Sequence, residues 1–115
     1  MPTYRGSCHC GNVAYTVEGT IDKALACNCS ICQRKGSLLW FTPKTNFTLT
    51  TPDENAGTYL FNKHFIAHRF CKTCGMHPYA EADFKGTPTA AINVRCIEDI
   101  DLDAIPVEHY DGRSK

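Results

Sequence analysis

Hydrophobic and polar residues alternate over short stretches of this chain, as they do in half-buried β-strands. The clearest case is residues 12–18, where Val13, Tyr15 and Val17 fall on one side of the predicted strand. Five further stretches are rich in β-branched, aromatic or aliphatic residues, and we predict strands there as well: 37–42, 47–50, 58–61, 65–70 and 90–97.

No stretch has the long, capped 3.6-residue period of an amphipathic helix. Short helices are predicted only at 30–35 and 98–104, and most prolines and glycines fall between the predicted strands, where turns are needed. A length of 115 residues suits one domain. The pattern therefore predicts a small, mainly β, antiparallel fold that occupies residues 1–115 as a single domain.

The charge balance narrows the class of function. Twelve basic and twelve acidic residues give a formal net charge of zero, so the chain lacks the basic excess that is typical of nucleic-acid binders. No apolar run approaches the roughly 20 residues that a membrane-spanning helix needs. The first residues also lack the apolar core of a signal peptide. We therefore expect a cytoplasmic protein without nucleic-acid or membrane partners.

Eight cysteines in a chain that is expected to stay reduced indicate metal ligands before disulfides. Two thiolates one or two residues apart in a tight turn can reach one zinc ion at about 2.3 Å, whereas a Cys-x-Cys pair is poorly spaced to bridge to itself. Seven of the cysteines have such spacings, in the clusters Cys8-His9-Cys10-Gly11, Cys27-Asn28-Cys29-Ser30-Ile31-Cys32 and Cys71-Lys72-Thr73-Cys74-Gly75.

The clusters differ in how many ligands they supply. The two pairs together make a complete tetrahedral set, which is typical of structural zinc: Cys8, Cys10, Cys71 and Cys74. The triplet leaves one position open, which is typical of catalytic zinc: Cys27, Cys29 and Cys32. An eighth ligand could instead close the second site, and the candidates for it are Cys96, His9, His64 and His68. For Cys96 the plainer interpretation is a small buried residue on the apolar face of its predicted strand.

The cysteine clusters and their neighbours resemble one family in order and spacing. The matching segments are GSCHCGNV at 6–13, CNCSICQRKG at 27–36 and FCKTCG at 70–75, followed by NVRC at 93–96 and HYDGRS at 109–114. These segments are similar to the glutathione-dependent formaldehyde-activating enzyme family, also called the CENP-V/GFA domain. The resemblance spans residues 4–114 and implies an Mss4-like β fold with zinc-binding knuckle loops and two zinc ions, one structural and one catalytic, partitioned as above.

The resemblance also implies an activity, carbon–sulfur lyase or synthase, with glutathione and formaldehyde as partners and S-(hydroxymethyl)glutathione as the adduct. Zinc held by three thiolates is electron-rich and suited to keep a fourth thiol deprotonated. The preferred hypothesis therefore places the glutathione sulfur at the open position, beside the formaldehyde carbon. The competing hypothesis binds the aldehyde oxygen to zinc.

Four further points stay open at this stage. Arg34 and Lys35 are candidates to pair with the glutathione carboxylates, against the plainer interpretation of a solvated basic turn. Three aromatic residues could line a pocket, although aromatics in short strands usually belong to the core: Trp40, Phe41 and Tyr79.

A non-catalytic, zinc-stabilised β binding module is the first alternative function, and access of a small thiol to the second zinc distinguishes it from the enzyme. A zinc-ribbon nucleic-acid binder is the second alternative, and salt-dependent binding to DNA or RNA would favour it.

Overall fold

The computed structural model describes residues 2–60 and 66–114. It contains ten strands and one short α-helix, in the order β1 (Thr3–Ser7), β2 (Ala14–Glu18), β3 (Ala24–Cys27), α1 (Ser30–Lys35), β4 (Leu39–Pro43), β5 (Phe47–Leu49), β6 (Ala56–Tyr59), β7 (Ile66–Cys71), β8 (Tyr79–Phe84), β9 (Thr87–Asn93) and β10 (Val107–Tyr110). Five single-turn 3₁₀ helices occupy Lys44–Asn46, Asp53–Asn55, Val94–Cys96, Leu102–Ala104 and Gly112–Ser114. The prediction of a mainly β fold is confirmed.

The strands form two sheets. A three-stranded sheet has the order β1-β2-β5, and a seven-stranded sheet has the order β10-β3-β4-β9-β8-β7-β6. Every pairing is antiparallel except that of β10 with β3, which is parallel. The fold is therefore antiparallel as predicted, apart from one edge strand.

The core lies between the sheets, because β2 turns one face toward β4, β8 and β9. Val13, Tyr15 and Val17 are buried as their alternation predicts. The Tyr15 ring lies 5.1 Å from Phe47 and 6.0 Å from Tyr79, between ring centroids. Tyr15 also explains the absence of a side chain at position 6, since a Cβ on Gly6 would come within 2.4 Å of the ring.

Arg69 is a buried cation in this core. It donates to Glu81 and to Asp53, both at 2.9 Å, and its Nε donates to the carbonyl of Gly57 at 3.3 Å. Lys44 adds a second cation 2.6 Å from Glu81. A buried charge is tolerated when its hydrogen bonds are satisfied in this way, and Arg69 thereby ties β7 to β8 and to the turn before β6.

One predicted strand is right only in its first half, one predicted helix is wrong, and four strands have no counterpart in the prediction. The strand expected at 90–97 ends at Asn93, where the chain leaves the sheet in the 3₁₀ turn Val94–Cys96. No α-helix forms at 98–104, where Asp99 has a positive φ of 56° that interrupts helical geometry. Strands β1, β3, β8 and β10 lack a clean alternation of burial. The strand predicted at 65–70 is found as β7 (Ile66–Cys71). The strand predicted at 58–61 is only partly right, because β6 begins at Ala56 and ends at Tyr59. Residues 61 and 65 lie outside the described residues.

Within the two described ranges, no helix is both long enough and apolar enough to cross a membrane.

Candidate active site

Four cysteines from two turns form the first sulfur cluster, which we call the four-sulfur cluster: Cys8, Cys10, Cys71 and Cys74. All four sulfur atoms lie within 4.8 Å of one another. Cys10 is central, with its Sγ 3.7 Å from that of Cys8 and 3.5 Å from that of Cys71. Four sulfurs at this spacing are a complete donor set for a tetrahedral ion.

The turn after β7 stabilises two of these sulfurs, those of Cys71 and Cys74, as thiolates. Gly75 has a φ of 79°, and the chain folds back so that the amides of Thr73 and Cys74 point at the Cys71 Sγ, at 3.3 and 3.4 Å. The amide of Cys74 is the main cause that lowers the pKa of Cys71, and the amide of Met76 lowers the pKa of Cys74 to about 6. Because the thiolate is the form that binds metal, this turn is prepared for an ion.

The remaining clustered cysteines form the three-sulfur cluster: Cys27, Cys29 and Cys32. Cys27 ends β3, Cys29 precedes the first turn of α1, and Cys32 lies inside that helix. Their sulfur atoms also lie within 4.8 Å of one another, and in the described ranges no other His, Cys, Asp or Glu donor joins them at that spacing. Of the candidate eighth ligands, His9 is exposed, while His64 lies outside the described residues.

The thiols of this cluster differ in how readily they ionise. Burial raises the pKa of Cys27, and raises that of Cys32 to about 12. Burial also acts on Cys29, but hydrogen bonds from Cys32, Cys27 and the amide of Ile31 outweigh it and lower the pKa of Cys29. Both clusters are all-sulfur donor sets served by backbone amides, a chemistry that suits zinc, so both could hold metal ions.

A cavity of about 540 Å³ opens beside the three-sulfur cluster. All three cysteines line it. Its floor is one face of β4, β7, β8 and β9, on the side of the sheet that points away from the core. Of the three aromatic candidates, Phe41 lines this cavity, whereas Trp40 and Tyr79 are buried in the core. The three-sulfur cluster is therefore placed where a small molecule can reach it.

Lys35 and Arg34 have different surroundings although they are adjacent in sequence. Lys35 lines the cavity, with its Nζ 3.4 Å from Nδ1 of His68. Burial lowers the pKa of Lys35, against the opposing effect of the Cys32 and Cys29 thiolates. Arg34 is exposed and donates to the carbonyl of Ser30 at 2.8 Å. The interpretation of a solvated basic turn thus fits Arg34 and does not fit Lys35.

The segment after β10 closes over the three-sulfur cluster and is held there by Asn28. The Asn28 amide N–H donates to the carbonyl of Tyr110 at 3.1 Å, and its side-chain Nδ2 donates to Asp111 Oδ1 at 3.0 Å. The side-chain oxygen of Asn28 accepts from the amide of Arg113 at 2.9 Å. Both polar atoms of this side chain, which lies between two of the clustered cysteines, are thus used to hold the C-terminal segment.

Gly112 is the point of closest approach in that segment. A Cβ at this position would lie 2.6 Å from Cys27 Sγ and 3.2 Å from Cys29 Cβ. Glycine is therefore required here by space. Sequence reasoning from single residues did not find Asn28 or Gly112 as site residues, and the only signal available was the match of segments 27–36 and 109–114 to one family.

Cys96 belongs to neither cluster. It is half-buried at the end of a 3₁₀ turn, where its Sγ accepts from Asn93 Nδ2 at 3.6 Å. The expectation that it lies on the apolar face of a strand is wrong, because β9 ends at Asn93. Burial raises the pKa of the Cys96 thiol to about 11, which leaves it protonated and inert at neutral pH.

Comparison with known proteins adds two findings. The family model described as "Glutathione-dependent formaldehyde-activating enzyme" matches residues 3–110. The crystal structure of a Rhodobacter sphaeroides protein superimposes with a TM-score of 0.77 at 26% sequence identity. That similarity covers 90% of this chain and 99% of the Rhodobacter chain, so the two proteins share a fold over nearly their whole lengths.

Proposed function

The chain belongs to the glutathione-dependent formaldehyde-activating enzyme family, and on this premise we propose that it is a zinc-dependent carbon–sulfur lyase or synthase. The reaction joins a thiol to an aldehyde, glutathione and formaldehyde in the family's named case, and the reverse reaction cleaves the adduct. The observation that carries this proposal is the position of the three-sulfur cluster on the wall of the large cavity.

The chemistry is an addition without oxidation or reduction. The thiol loses its proton, its sulfur forms a bond to the carbonyl carbon, and the carbon–oxygen π pair moves onto oxygen, which takes up a proton. Protein groups must therefore hold the thiol sulfur, orient the aldehyde and hold a donor toward the carbonyl oxygen.

Each cluster has its own role in this proposal. The four-sulfur cluster would hold a structural zinc ion, and the three-sulfur cluster would hold a catalytic one. When bound in a site with an open position, zinc keeps a thiol ligand deprotonated near neutral pH.

Residues 1–115 act as a single zinc-binding domain, which the core shared by both sheets supports. A cytoplasmic location fits because both clusters need reduced thiols.

Lys35 is our candidate for the donor to the carbonyl oxygen. It follows Cys32 by one helical turn, lines the same cavity and is partly withdrawn from water. Its ammonium also offsets the net charge of about −1 that three thiolates and one Zn²⁺ carry. Lys35→Met should lower kcat while leaving zinc content unchanged, because the methionine keeps most of the length of the unbranched side chain and removes the donor.

The direct test measures carbon–sulfur exchange by NMR, with glutathione and formaldehyde at equilibrium, in the presence and absence of the protein. We expect the protein to accelerate exchange, and Cys32→Ser to abolish the acceleration with loss of one zinc per chain. Cys96→Ser is the matched control, since it removes a thiol outside both clusters and should change neither quantity. A folded Cys32→Ser protein that still accelerates exchange would refute the proposal.

A further inference from the structure

The floor of the cavity is made of small side chains. On the cavity face of the seven-stranded sheet, Ala80 of β8 pairs with Ala91 of β9, and Ala82 pairs with Thr89. All four residues line the cavity. Side chains of this size at the centre of a sheet leave a depression that larger residues would fill.

The walls around this floor are large and apolar: Leu25, Leu39, Phe41, Ile66 and Phe84. Phe41 and Phe84 meet edge to face, with ring centroids 6.1 Å apart. Both rings stay partly exposed, Phe41 at 42% and Phe84 at 37%. Apolar surface held open to solvent around a concavity marks a site for an apolar ligand.

Charged groups are scarce in this lining. Apart from the cysteines, only Lys35 and Glu81 carry charge among the described residues around the cavity, because His68 has a pKa lowered to about 4. Both carboxylate oxygens of Glu81 are already engaged, with Arg69 at 2.9 Å and Lys44 at 2.6 Å. Glutathione has two carboxylates and an ammonium group, so the described part of the lining does not match the body of this tripeptide.

Formaldehyde does not match it either. A cavity of about 540 Å³ is within the range that encloses drug-sized ligands, whereas formaldehyde has only two heavy atoms and no apolar chain. A large apolar chamber that begins at the three-sulfur cluster fits a substrate whose reacting carbon lies at the sulfurs and whose hydrocarbon part extends over the alanine floor.

We propose that the preferred substrate is an aldehyde with a medium-length alkyl or an aryl group, which occupies the cavity beside the three-sulfur cluster while the thiol enters from outside. This inference rests on the proposed carbon–sulfur chemistry and narrows its substrate. The bond changes are those given above: sulfur bonds to the carbonyl carbon, and the oxygen takes up the proton that balances the one lost by the thiol.

The test compares acceleration of exchange by the zinc-loaded protein for glutathione with formaldehyde, acetaldehyde, butanal, hexanal and benzaldehyde. Each buried methylene stabilises the complex by about 0.8 kcal/mol, which is roughly fourfold in affinity. We therefore expect kcat/KM to rise by up to about that factor per methylene from acetaldehyde to hexanal. Hexan-1-ol, which cannot react, should bind saturably and shift the amide NMR signals of β8 and β9.

Variants then locate the effect. Ala91→Leu and the less buried Ala82→Leu fill the floor and should each lower kcat/KM for hexanal at least tenfold and kcat/KM for acetaldehyde much less. Thr48→Leu adds the same side chain to an exposed strand position outside the cavity lining and should alter neither. This inference would be overturned, with the proposed function left in place, by either of two results. One is a kcat/KM for formaldehyde as high as that for hexanal, and the other is leucine variants that lower kcat/KM equally for hexanal and acetaldehyde. Failure to accelerate exchange with every aldehyde would overturn both.

Discussion

Gly112→Ala tests whether the C-terminal segment shapes the three-sulfur cluster. The added methyl would lie 2.6 Å from Cys27 Sγ and 3.2 Å from Cys29 Cβ, about 1 Å inside ordinary contact with the sulfur. The segment must therefore move away, and the hydrogen bonds that Asn28 makes to Asp111 and Arg113 are strained or lost.

The expected loss in the free energy of unfolding follows from two contributions. Overpacking of this kind costs about 1–3 kcal/mol, and each of the two hydrogen bonds contributes roughly 1 kcal/mol. Because the segment is exposed and can peel away, we expect a modest loss in the free energy of unfolding, about 1–2 kcal/mol. The functional loss should be larger: the zinc content should fall from two toward one per chain, and exchange should lose most of its acceleration.

Urea unfolding, metal analysis and the NMR exchange assay measure these quantities on the same preparation. Gly86→Ala is the matched control, because Gly86 has a φ of 83° with nothing near its Cβ position. An alanine there costs about 1–2 kcal/mol through backbone strain alone and lies outside the site. If both variants lose stability but keep two zinc ions and full activity, the C-terminal segment has no role in shaping the cluster.

Three further predictions concern stability, pH and metal. Arg69→Met removes the partner of Asp53 and Glu81, and in a urea titration it should lower the free energy of unfolding by about 3 kcal/mol while activity per folded molecule is retained. A loss below about 1 kcal/mol would contradict a stabilising role of the buried ion pairs. Burial, Lys35 and His77 lower the pKa of His68 to about 4, so between pH 6.5 and 4 the unfolded chain binds a proton there that the folded chain does not. The contribution of His68 to stability is therefore complete above about pH 6.5 and declines as the pH falls toward 4. His68→Gln should flatten that decline, and an unchanged pH profile of the free energy of unfolding would refute the lowered pKa of His68. A mild chelator should remove the ion of the three-sulfur cluster first, with the far-UV circular dichroism preserved, whereas loss of the ion of the four-sulfur cluster should unfold the protein. Unfolding on removal of the first ion would contradict the structural role of the four-sulfur cluster and the catalytic role of the three-sulfur cluster.

Prediction from sequence worked best where a periodic pattern or a local spacing decides the structure. The alternation of Val13, Tyr15 and Val17 is found as a buried row, and the helix expected at 30–35 is α1. The spacing of the seven cysteines gathers them into the two expected groups. In the strand, the helix and each cysteine turn, the determining interactions lie within a few residues of one another in the chain. The joining of two such turns in the four-sulfur cluster is the exception, because Cys10 and Cys71 are 61 residues apart in sequence.

Prediction was poor where distant contacts decide. All four residues of β10 are exposed, so no alternation marks this strand, and its parallel pairing with β3 depends on contacts more than 80 residues away in sequence. The alanine floor was invisible for a similar reason. Ala80, Ala82 and Ala91 carry no chemical signal until the register of β8 and β9 places them side by side.

The most direct test of the account combines zinc content with X-ray absorption at the zinc edge, on fresh protein before and after addition of glutathione. We expect two zinc ions per chain and a mean of about 3.5 sulfur ligands per zinc, which rises to about 4 as a thiol enters the open position. Two ions with four sulfur ligands each before glutathione is added, and no change afterwards, would show two closed structural sites and contradict the catalytic role of the three-sulfur cluster.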